Sequence, residues 1–325
     1  MTVQLRRCAL ALALAAFASP LLAQAWPTQP VRLVVPFPPG GGTDLTARSV
    51  AARLASALGQ PFVVENRGGA GGTIGADAVA KSAPDGYTIG IATSSTHPGA
   101  LVLQKNVPYD PLKSFAPITM IGNTSYVLLA NPTVPAANVV ELIAYARANP
   151  GKLNVANVGA STIGYLLTLQ LKALTGTNMV DIGYKGASQA YPDLIGNQVS
   201  LFLDNPGAST PLVTSGKLKA YAVTAPTPSL PGVPLFTEAG AAVGLRNFDP
   251  SFWYGLVAPA GTPRAVVERI QAETAKFVHS PEGIKEFAAR SLEPVGSTPE
   301  QFAAVIQKDI ERYGALARQL GLQPQ

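Results

Sequence analysis

The chain has 325 residues and a formal net charge of +5, and only 13% of its residues are charged, against about 25% in an ordinary globular protein. Its lysines and arginines are scattered and form no stripe, which argues against a nucleic-acid partner. The single cysteine, Cys8, excludes an intrachain disulfide and a thiolate metal site.

The N-terminus is typical of a secretory signal peptide. A basic start at Arg6 is followed by an apolar run, residues 8–22. That run is shorter than the ~20 apolar residues that a transmembrane helix needs, and Pro20 interrupts it. Residues 23–25 read Ala-Gln-Ala, which is an A-x-A cleavage site. We therefore predict a signal peptide over residues 1–25, cleavage after Ala25 and export to the periplasm.

Strands alternate with helices at short spacing over the first part of the mature chain. The predicted strands are residues 31–36, 61–65 and 87–92, and the predicted helices are residues 44–58 and 74–83. Gly59 follows the first helix in the position where glycine commonly ends one. The alternation favours an α/β fold with a mainly parallel sheet.

The pattern is interrupted twice, at the proline-rich residues 108–117 and 226–234. Between the interruptions lies a second α/β series, with strands at 153–157, 179–184, 199–203 and 219–224 and helices at 139–148, 161–175 and 188–195. Residues 118–130 and 252–258 predict strands that cross from one lobe to the other. Two amphipathic helices, residues 263–280 and 299–320, complete the chain. We expect lobe 1 to comprise residues 26–124 and 254–325, and lobe 2 to comprise residues 125–253.

Four loops share one form, in which a strand is followed by a short turn rich in glycine or hydroxyl groups and then by a helix. They are residues 37–44, 93–99, 158–162 and 204–209. A helix start offers free N–H groups and the positive end of a dipole, so each loop can receive an anion. The alternative is that the polar residues of these loops only cap their own helices.

The first of these loops lies within the sequence VVPFPPGGGTD, residues 34–44. Its prolines remove two donors and stiffen the backbone. Gly40, Gly41 and Gly42 have no Cβ, so a ligand can reach their amides. The loop has no fixed cation, which favours a set of charge-assisted hydrogen bonds to a small anion. Asp44 would stabilise the helix start, or accept an ammonium if the ligand carries one.

Nucleotide binding and catalysis both lack their usual motifs. A P-loop requires a lysine after the last glycine, but Thr43 stands there. The second glycine cluster, residues 65–75, lacks the dinucleotide spacing. The chain has only two histidines, no G-x-S-x-G elbow and no H-E-x-x-H motif. We predict no cofactor and no metal, and an exported enzyme acting on a small carboxylate in the same cleft remains the alternative.

Several longer segments are specific enough to indicate a family. They read WPTQPVRLVVPFPPGGGTDLTAR at 26–48, VVENRGGAGGTIGADAVAKSAPDGYT at 63–88 and YKGASQAYPDLIGNQVSLFLDN at 184–205. With them the chain resembles, over nearly its whole mature length, the Bug-type solute receptors of tripartite tricarboxylate transporters. The resemblance implies a type II periplasmic-binding-protein fold, in which two α/β lobes with two crossover strands close on a solute. It also implies a small carboxylate ligand: an amino acid, a di- or tricarboxylate, or an aromatic acid.

The chain departs from the family pattern in lobe 2, where Tyr165 takes the position of a frequent histidine. A tyrosine there would favour a larger or aromatic carboxylate. The candidate ligand-binding residues are Phe37, Gly40, Gly41, Gly42, Thr43, Asp44, Thr93, Ser94, Ser95, His97, Gly159, Ser161, Tyr165, Asp204 and Asn205. The partners that the resemblance implies are the transporter's membrane subunits or a sensor, and we expect a monomer.

Overall fold

The computed structural model describes residues 26–248 and 250–324, so the predicted signal peptide lies outside the described residues. The strands are β1 (Val31–Val35), β2 (Phe62–Asn66), β3 (Thr88–Thr93), β4 (Phe115–Thr124), β5 (Val127–Ala130), β6 (Asn154–Asn157), β7 (Val180–Gly183), β8 (Leu201–Asp204), β9 (Lys219–Val223), β10 (Phe252–Pro259) and β11 (Leu292–Pro294). They form two separate sheets, one in each lobe. The first has the order β11-β4-β10-β3-β1-β2 and the second the order β7-β6-β8-β5-β9.

Helices cover these sheets and connect their strands. They are α1 (Gly42–Leu58), α2 (Thr73–Ala80), α3 (Ala100–Leu103), α4 (Val139–Ala148), α5 (Ile163–Thr175), α6 (Ala187–Ile195), α7 (Pro206–Thr214), α8 (Phe236–Ala239), α9 (Arg264–Val278), α10 (Pro281–Ala288) and α11 (Pro299–Gln319). The two-lobe α/β architecture predicted from the sequence is confirmed. In the described part of the chain, no helix is both long enough and apolar enough to cross a membrane.

Both sheets are mixed, whereas the sequence predicted a mainly parallel arrangement. Strands β2, β1 and β3 run parallel, as do β7, β6 and β8. Strand β10 is antiparallel to both β3 and β4. The reason is topological: β4 takes the chain towards the second sheet and β10 brings it back, so the two neighbours run in opposite directions.

The predicted crossing strand, residues 118–130, is two strands. Strand β4 ends at Thr124 in the first sheet and β5 begins at Val127 in the second. Ser125 and Tyr126 connect them, and the returning chain pairs Phe252 with Thr124 at the same level. The two passages between the sheets therefore lie side by side.

Helix α10 and strand β11 have no counterpart among the predicted elements. Ser280 caps α10, because its Oγ accepts a hydrogen bond of 3.0 Å from the amide of Gly283. Pro281 occupies the first helical position, where its missing N–H does no harm. The next helix, α11, begins in a capping box, with reciprocal hydrogen bonds between Thr298 and Gln301.

The core of the first lobe lies on both faces of its sheet. In β1, Leu33 and Val35 point to one face and Val34 to the other, and all three are buried, as expected of a strand that is covered on both sides. On one face, the ring of Trp253 meets Phe302 edge to face, with 5.0 Å between ring centroids. This packing fixes β10 against α11, and thus holds the strand whose first residues reach the second lobe.

Candidate ligand-binding site

A small pocket lies where the carboxyl ends of strands from both sheets face each other, and we call it the inner pocket. Its residues come from the loops after β1, β3, β6, β7 and β8 and from the two passages between the sheets. They are Phe37, Pro38, Gly41, Gly42, Thr43, Ser95, Tyr126, Val158, Thr162, Gly164, Gly186, Ala187, Leu203, Asp204, Asn205, Phe252 and Tyr254. Its free volume is about 50 Å³. The position is the one where open α/β sheets bind ligands.

A larger space, the outer pocket, adjoins it and has a volume of about 680 Å³. The two pockets share Phe37, Pro38 and Val158. The other residues of the outer pocket are Pro39, Asn66, Gly68, Gly69, Ala70, Gly71, Gly72, Gly159, Ala160, Ser161, Tyr184 and Lys185. The second glycine-rich loop of the sequence therefore forms one wall of the outer pocket.

Three helices begin at the inner pocket without a side-chain cap. They are α1, α6 and α7, whose N-cap residues are Gly41, Gly186 and Asn205. The amides of a first helical turn have no acceptor within the helix, and the helix dipole makes that end positive. No lysine or arginine is among the described residues that line the inner pocket. These amides are therefore the main groups in it that would attract an anion.

The lobes are in contact across the cleft. The amide of Ile163, at the start of α5, donates a hydrogen bond of 3.1 Å to Ser95 Oγ of the first lobe. The hydroxyl of Tyr254 donates to Asn205 Oδ1 over 3.4 Å. A Cβ at Gly186 would lie only 2.9 Å from the ring of Pro38. The structure is thus a closed arrangement, in which small residues allow the two sides to approach.

Asp44 is buried beneath the first glycine loop and does not line either pocket. Its carboxylate accepts hydrogen bonds from the Gly40 amide at 3.0 Å, Arg48 Nε at 3.0 Å and Asn66 Nδ2 at 2.9 Å. Burial opposes its ionisation, but these donors together hold the pKa of Asp44 below its usual value. The Asp44 carboxylate therefore holds the loop in its conformation. The Gly40 amide already donates to this carboxylate.

We expect Asp44→Ala to lower the free energy of unfolding at pH 7 by about 2–4 kcal/mol, because it leaves buried donors without an acceptor. A lowered carboxyl pKa stabilises the fold above the usual carboxyl pKa, and this contribution disappears as the pH falls through the folded-state value. The deficit should therefore shrink at pH 3. Urea unfolding at both pH values measures it. Glu268→Ala, which removes an exposed ion pair with Arg264, is the control, and an equal loss in both variants would contradict the role of Asp44.

Asp204 stands at the end of β8 and lines the inner pocket. Burial raises its pKa to about 6, although a hydrogen bond from the Tyr191 hydroxyl and one from the Asn205 amide favour the charged form. The Tyr191 bond is short, at 2.6 Å. Burial also raises the pKa of Tyr191 and that of Tyr254, so both phenols stay neutral at ordinary pH.

The raised pKa predicts how the ligand-free protein responds to pH. A carboxyl with a pKa of about 6 in the folded state and 3.8 as its usual value lowers stability as the pH rises between these values. We expect Asp204→Asn to be more stable than the parent protein by about 1–3 kcal/mol at pH 7.5. The difference should vanish near pH 4. Urea unfolding of both proteins across this range is the measurement, and a constant difference would contradict the titration of Asp204.

The structure brings together candidates from all four predicted loops. Those that line the inner pocket are Phe37, Gly41, Gly42, Thr43, Ser95, Asp204 and Asn205, and those that line the outer pocket are Phe37, Gly159 and Ser161. Thr93 and Ser94 are buried behind the Ser95 loop. The Ser94 Oγ there accepts a hydrogen bond of 3.1 Å from the Trp253 amide.

Six candidates lie outside both pocket linings: Gly40, Asp44, Thr93, Ser94, His97 and Tyr165. His97 is buried among aromatic rings, with its ring centroid 4.7 Å from that of Phe115. Burial lowers its pKa to about 3, so it is neutral. Tyr165 projects from α5 on the side of Asp181, whose charge, after burial, is the second cause of its raised pKa. Neither His97 nor Tyr165 borders the inner or the outer pocket, so the structure supports neither as a direct ligand contact there.

The sequence reasoning did not include several residues of the inner pocket. Tyr126, Phe252 and Tyr254 belong to the passages between the lobes, and in sequence such residues look like ordinary core aromatics. Gly186 and Ala187 could have been predicted from the sequence, because residues 184–187 connect a strand to a helix in the same way as the other four loops. In the described residues, no group of histidine, cysteine and carboxylate side chains is arranged to hold a metal ion.

Comparison with known proteins places this geometry in a family. Residues 46–322 match the family described as "Tripartite tricarboxylate transporter family receptor". The Bordetella pertussis protein BugT is 37% identical over 314 residues, which cover 95% of each chain. A Pseudomonas sp. (strain P51) protein from the tcbD-tcbE intergenic region is 34% identical and covers 96% of this chain and 93% of its own.

Solved structures agree in sequence and in shape. The periplasmic binding protein BugD superimposes with a TM-score of 0.87 at 36% identity, covering 92% of this chain and all of its own. The R. palustris protein Rpa4515, solved with adipate, gives a TM-score of 0.88 at 34% identity with the same coverage. MatC from Rhodopseudomonas palustris, with bound malate, gives 0.84 at 32% identity and covers 90% of this chain and 99% of its own.

Proposed function

This chain belongs to the tripartite tricarboxylate transporter receptor family, and we propose that it is an exported receptor that binds a small carboxylate between its two lobes. The observation that carries the proposal is the meeting of three uncapped helix N-termini in a pocket without lysine or arginine. Such a site holds a carboxylate by backbone amides and hydroxyl groups. The related structures solved with adipate and with malate support the same class of ligand.

The hydrogen bonds available are enough for useful affinity. Each hydrogen bond to a charged group contributes about 1.5–3 kcal/mol, and micromolar binding requires about 8 kcal/mol. The amides of Gly42 and Thr43, the hydroxyl of Thr43 and the start of α6 supply several donors to one carboxylate. Burial of the rest of the ligand in the outer pocket adds to them.

A thermal-shift screen against carboxylates tests the ligand class. A ligand at 100 times its Kd stabilises the folded state by about 2.7 kcal/mol. In a protein of this size each kcal/mol raises the Tm by roughly 2–4 °C, so a true ligand should raise it by several degrees. A shift with sugars or metal ions, and with no carboxylate, would overturn the proposal.

We propose that opening and closing occur at the two passages between the lobes. The proposed lobe division is residues 26–124 and 254–325 against residues 125–253. It is supported by Ser125, Tyr126 and Phe252, which lie where the chain passes between the two sheets. Adjacent strand ends of this kind suit hinge closure. Small-angle scattering should show a decrease in the radius of gyration when a ligand from the thermal screen is added, and no change would count against the hinge.

Binding without turnover is also part of the proposal. The inner pocket has hydroxyl groups and one carboxyl, but no histidine lines it to act as a base. We further propose that the mature chain begins at Trp26 and acts as a monomer, which passes its ligand to membrane subunits or presents it to a sensor. Mass spectrometry of the exported protein checks the first residue, and light scattering checks the monomer.

A further inference from the structure

The inner pocket contains a carboxyl group, that of Asp204, which no cation in its lining compensates. Among the described residues that line it, Asp204 is the only one with a carboxyl group, and none is a lysine, arginine or histidine. The titratable groups that face Asp204 are three phenols: Tyr126 from the passage before β5, Tyr191 from α6 and Tyr254 from β10. All three are neutral donors, because burial raises the pKa of each.

Two opposite preferences therefore meet in one small space. The starts of α1, α6 and α7 favour a negative group, whereas the Asp204 carboxylate favours a positive one. A ligand with only carboxylate groups would bring a second negative charge next to Asp204, in surroundings where charges interact strongly. A ligand that carries an ammonium close to its carboxylate satisfies both preferences at once.

The dimensions of the two pockets agree with such a head group. At roughly 10–15 Å³ for each water-sized group, the inner pocket's free volume of about 50 Å³ accepts only a few heavy atoms. A carboxylate and an adjacent ammonium are of this size. The rest of the molecule can pass Phe37 and Val158, which line both pockets, into the outer pocket.

We propose that Asp204 receives the ammonium of the ligand and that the ligand is an amino acid. This inference rests on the proposed function, because the helix N-termini must hold the ligand's carboxylate. Tyr191 is a positioning residue, since its hydroxyl holds one carboxylate oxygen at 2.6 Å and leaves the carboxyl group at the pocket wall. Asp44, in contrast, is occupied by donors of its own loop.

The test compares amino acids with the carboxylic acids that lack only the amino group, for example aspartate with succinate and phenylalanine with 3-phenylpropionate. Calorimetric titration at pH 7.5 should show at least one amino acid binding about thirtyfold or more tightly than its deaminated counterpart, as expected for a buried charge pair. This preference is measured on the unaltered protein, so it does not depend on any variant folding.

Two variants locate the effect. Asp204→Asn should lose about thirtyfold or more in affinity for that amino acid. Asp181→Asn, a half-buried carboxyl of the same lobe that pairs with Lys172 at 2.9 Å outside the pockets, should bind like the parent protein. Affinity for the amino acid should also decrease as the pH falls below 6, because protonation of Asp204 removes the acceptor charge.

The outcomes separate this inference from the function on which it rests. If the deaminated acids bind as tightly as the amino acids, or Asp204→Asn keeps its affinity, the role of Asp204 is wrong while the carboxylate receptor stands. Affinity that increases below pH 6 would also overturn it, since a protonated Asp204 would then be donating to a second carboxylate. If neither class of acid binds, the proposed function itself fails.

Discussion

Replacing Gly42 by leucine is expected to weaken ligand binding by about a hundredfold or more while the protein still folds. A Cβ at this position would lie 2.9 Å from the Tyr254 hydroxyl and 3.9 Å from the Cβ of Asn205. A leucine side chain would therefore occupy the inner pocket, whose free volume is only about 50 Å³. Folding is spared because the nearest atom is the end of a side chain and Gly42 has ordinary helical backbone in α1.

Gly314→Leu is the matched control for this prediction. Gly314 also lies within a helix, α11, where a Cβ would meet only Arg318 Nη1 at 3.4 Å. Calorimetric titration of both variants with a ligand from the thermal screen compares them directly. Binding to Gly42→Leu with the affinity of the parent protein would show that the ligand does not occupy the inner pocket.

Trp253→Ala is expected to give the largest loss of stability, about 3–5 kcal/mol in the free energy of unfolding. The side chain is 1% exposed and packs edge to face on Phe302. Its indole N–H donates a hydrogen bond of 2.8 Å to Asp309 Oδ2. The change opens a cavity between β10 and α11 and removes a donor from a buried carboxylate.

Trp26→Ala is the control for Trp253, because Trp26 is only partly buried at the edge of the core, where it packs against Tyr87. Its loss should stay below about 2 kcal/mol, in the range of ordinary substitutions. Guanidinium unfolding at pH 7.5 measures both variants. Equal losses would mean that the contact between β10 and α11 does not dominate the stability of the first lobe.

Much of the fold could be predicted because glycine and proline residues indicate many of the turns in the sequence. Glycine or proline ends several elements, and the predicted helix that ends before Gly59 is found as α1, with Gly59 in the left-handed conformation after it. The prediction of one extended segment over residues 118–130 missed the break between β4 and β5, although residues 122–125, Gly-Asn-Thr-Ser, interrupt the apolar sequence there. Strand β11, Leu292–Pro294, is too short to leave a pattern, and only its pairing with β4 defines it.

The loops of the site could also be predicted from their glycines and prolines. The different roles of their residues could not. Asp44 and Asp204 each stand beside the start of a helix, and sequence alone gives them similar roles. Three donors surround Asp44, whereas Asp204 has neutral partners and borders the pocket. This difference depends on contacts between residues far apart in sequence, such as Asn66 with Asp44. The prediction missed Tyr126, Phe252 and Tyr254 because burial in a core and burial around a ligand look alike in sequence.

The most direct measurement is equilibrium titration of the mature protein with the best carboxylate from the screen, followed by chemical recovery of that carboxylate. We predict that one molecule of this carboxylate binds to each chain with micromolar or tighter affinity and is recovered unchanged after long incubation. Absence of binding by any carboxylate would contradict a carboxylate receptor. Recovery of a converted product would contradict binding without turnover.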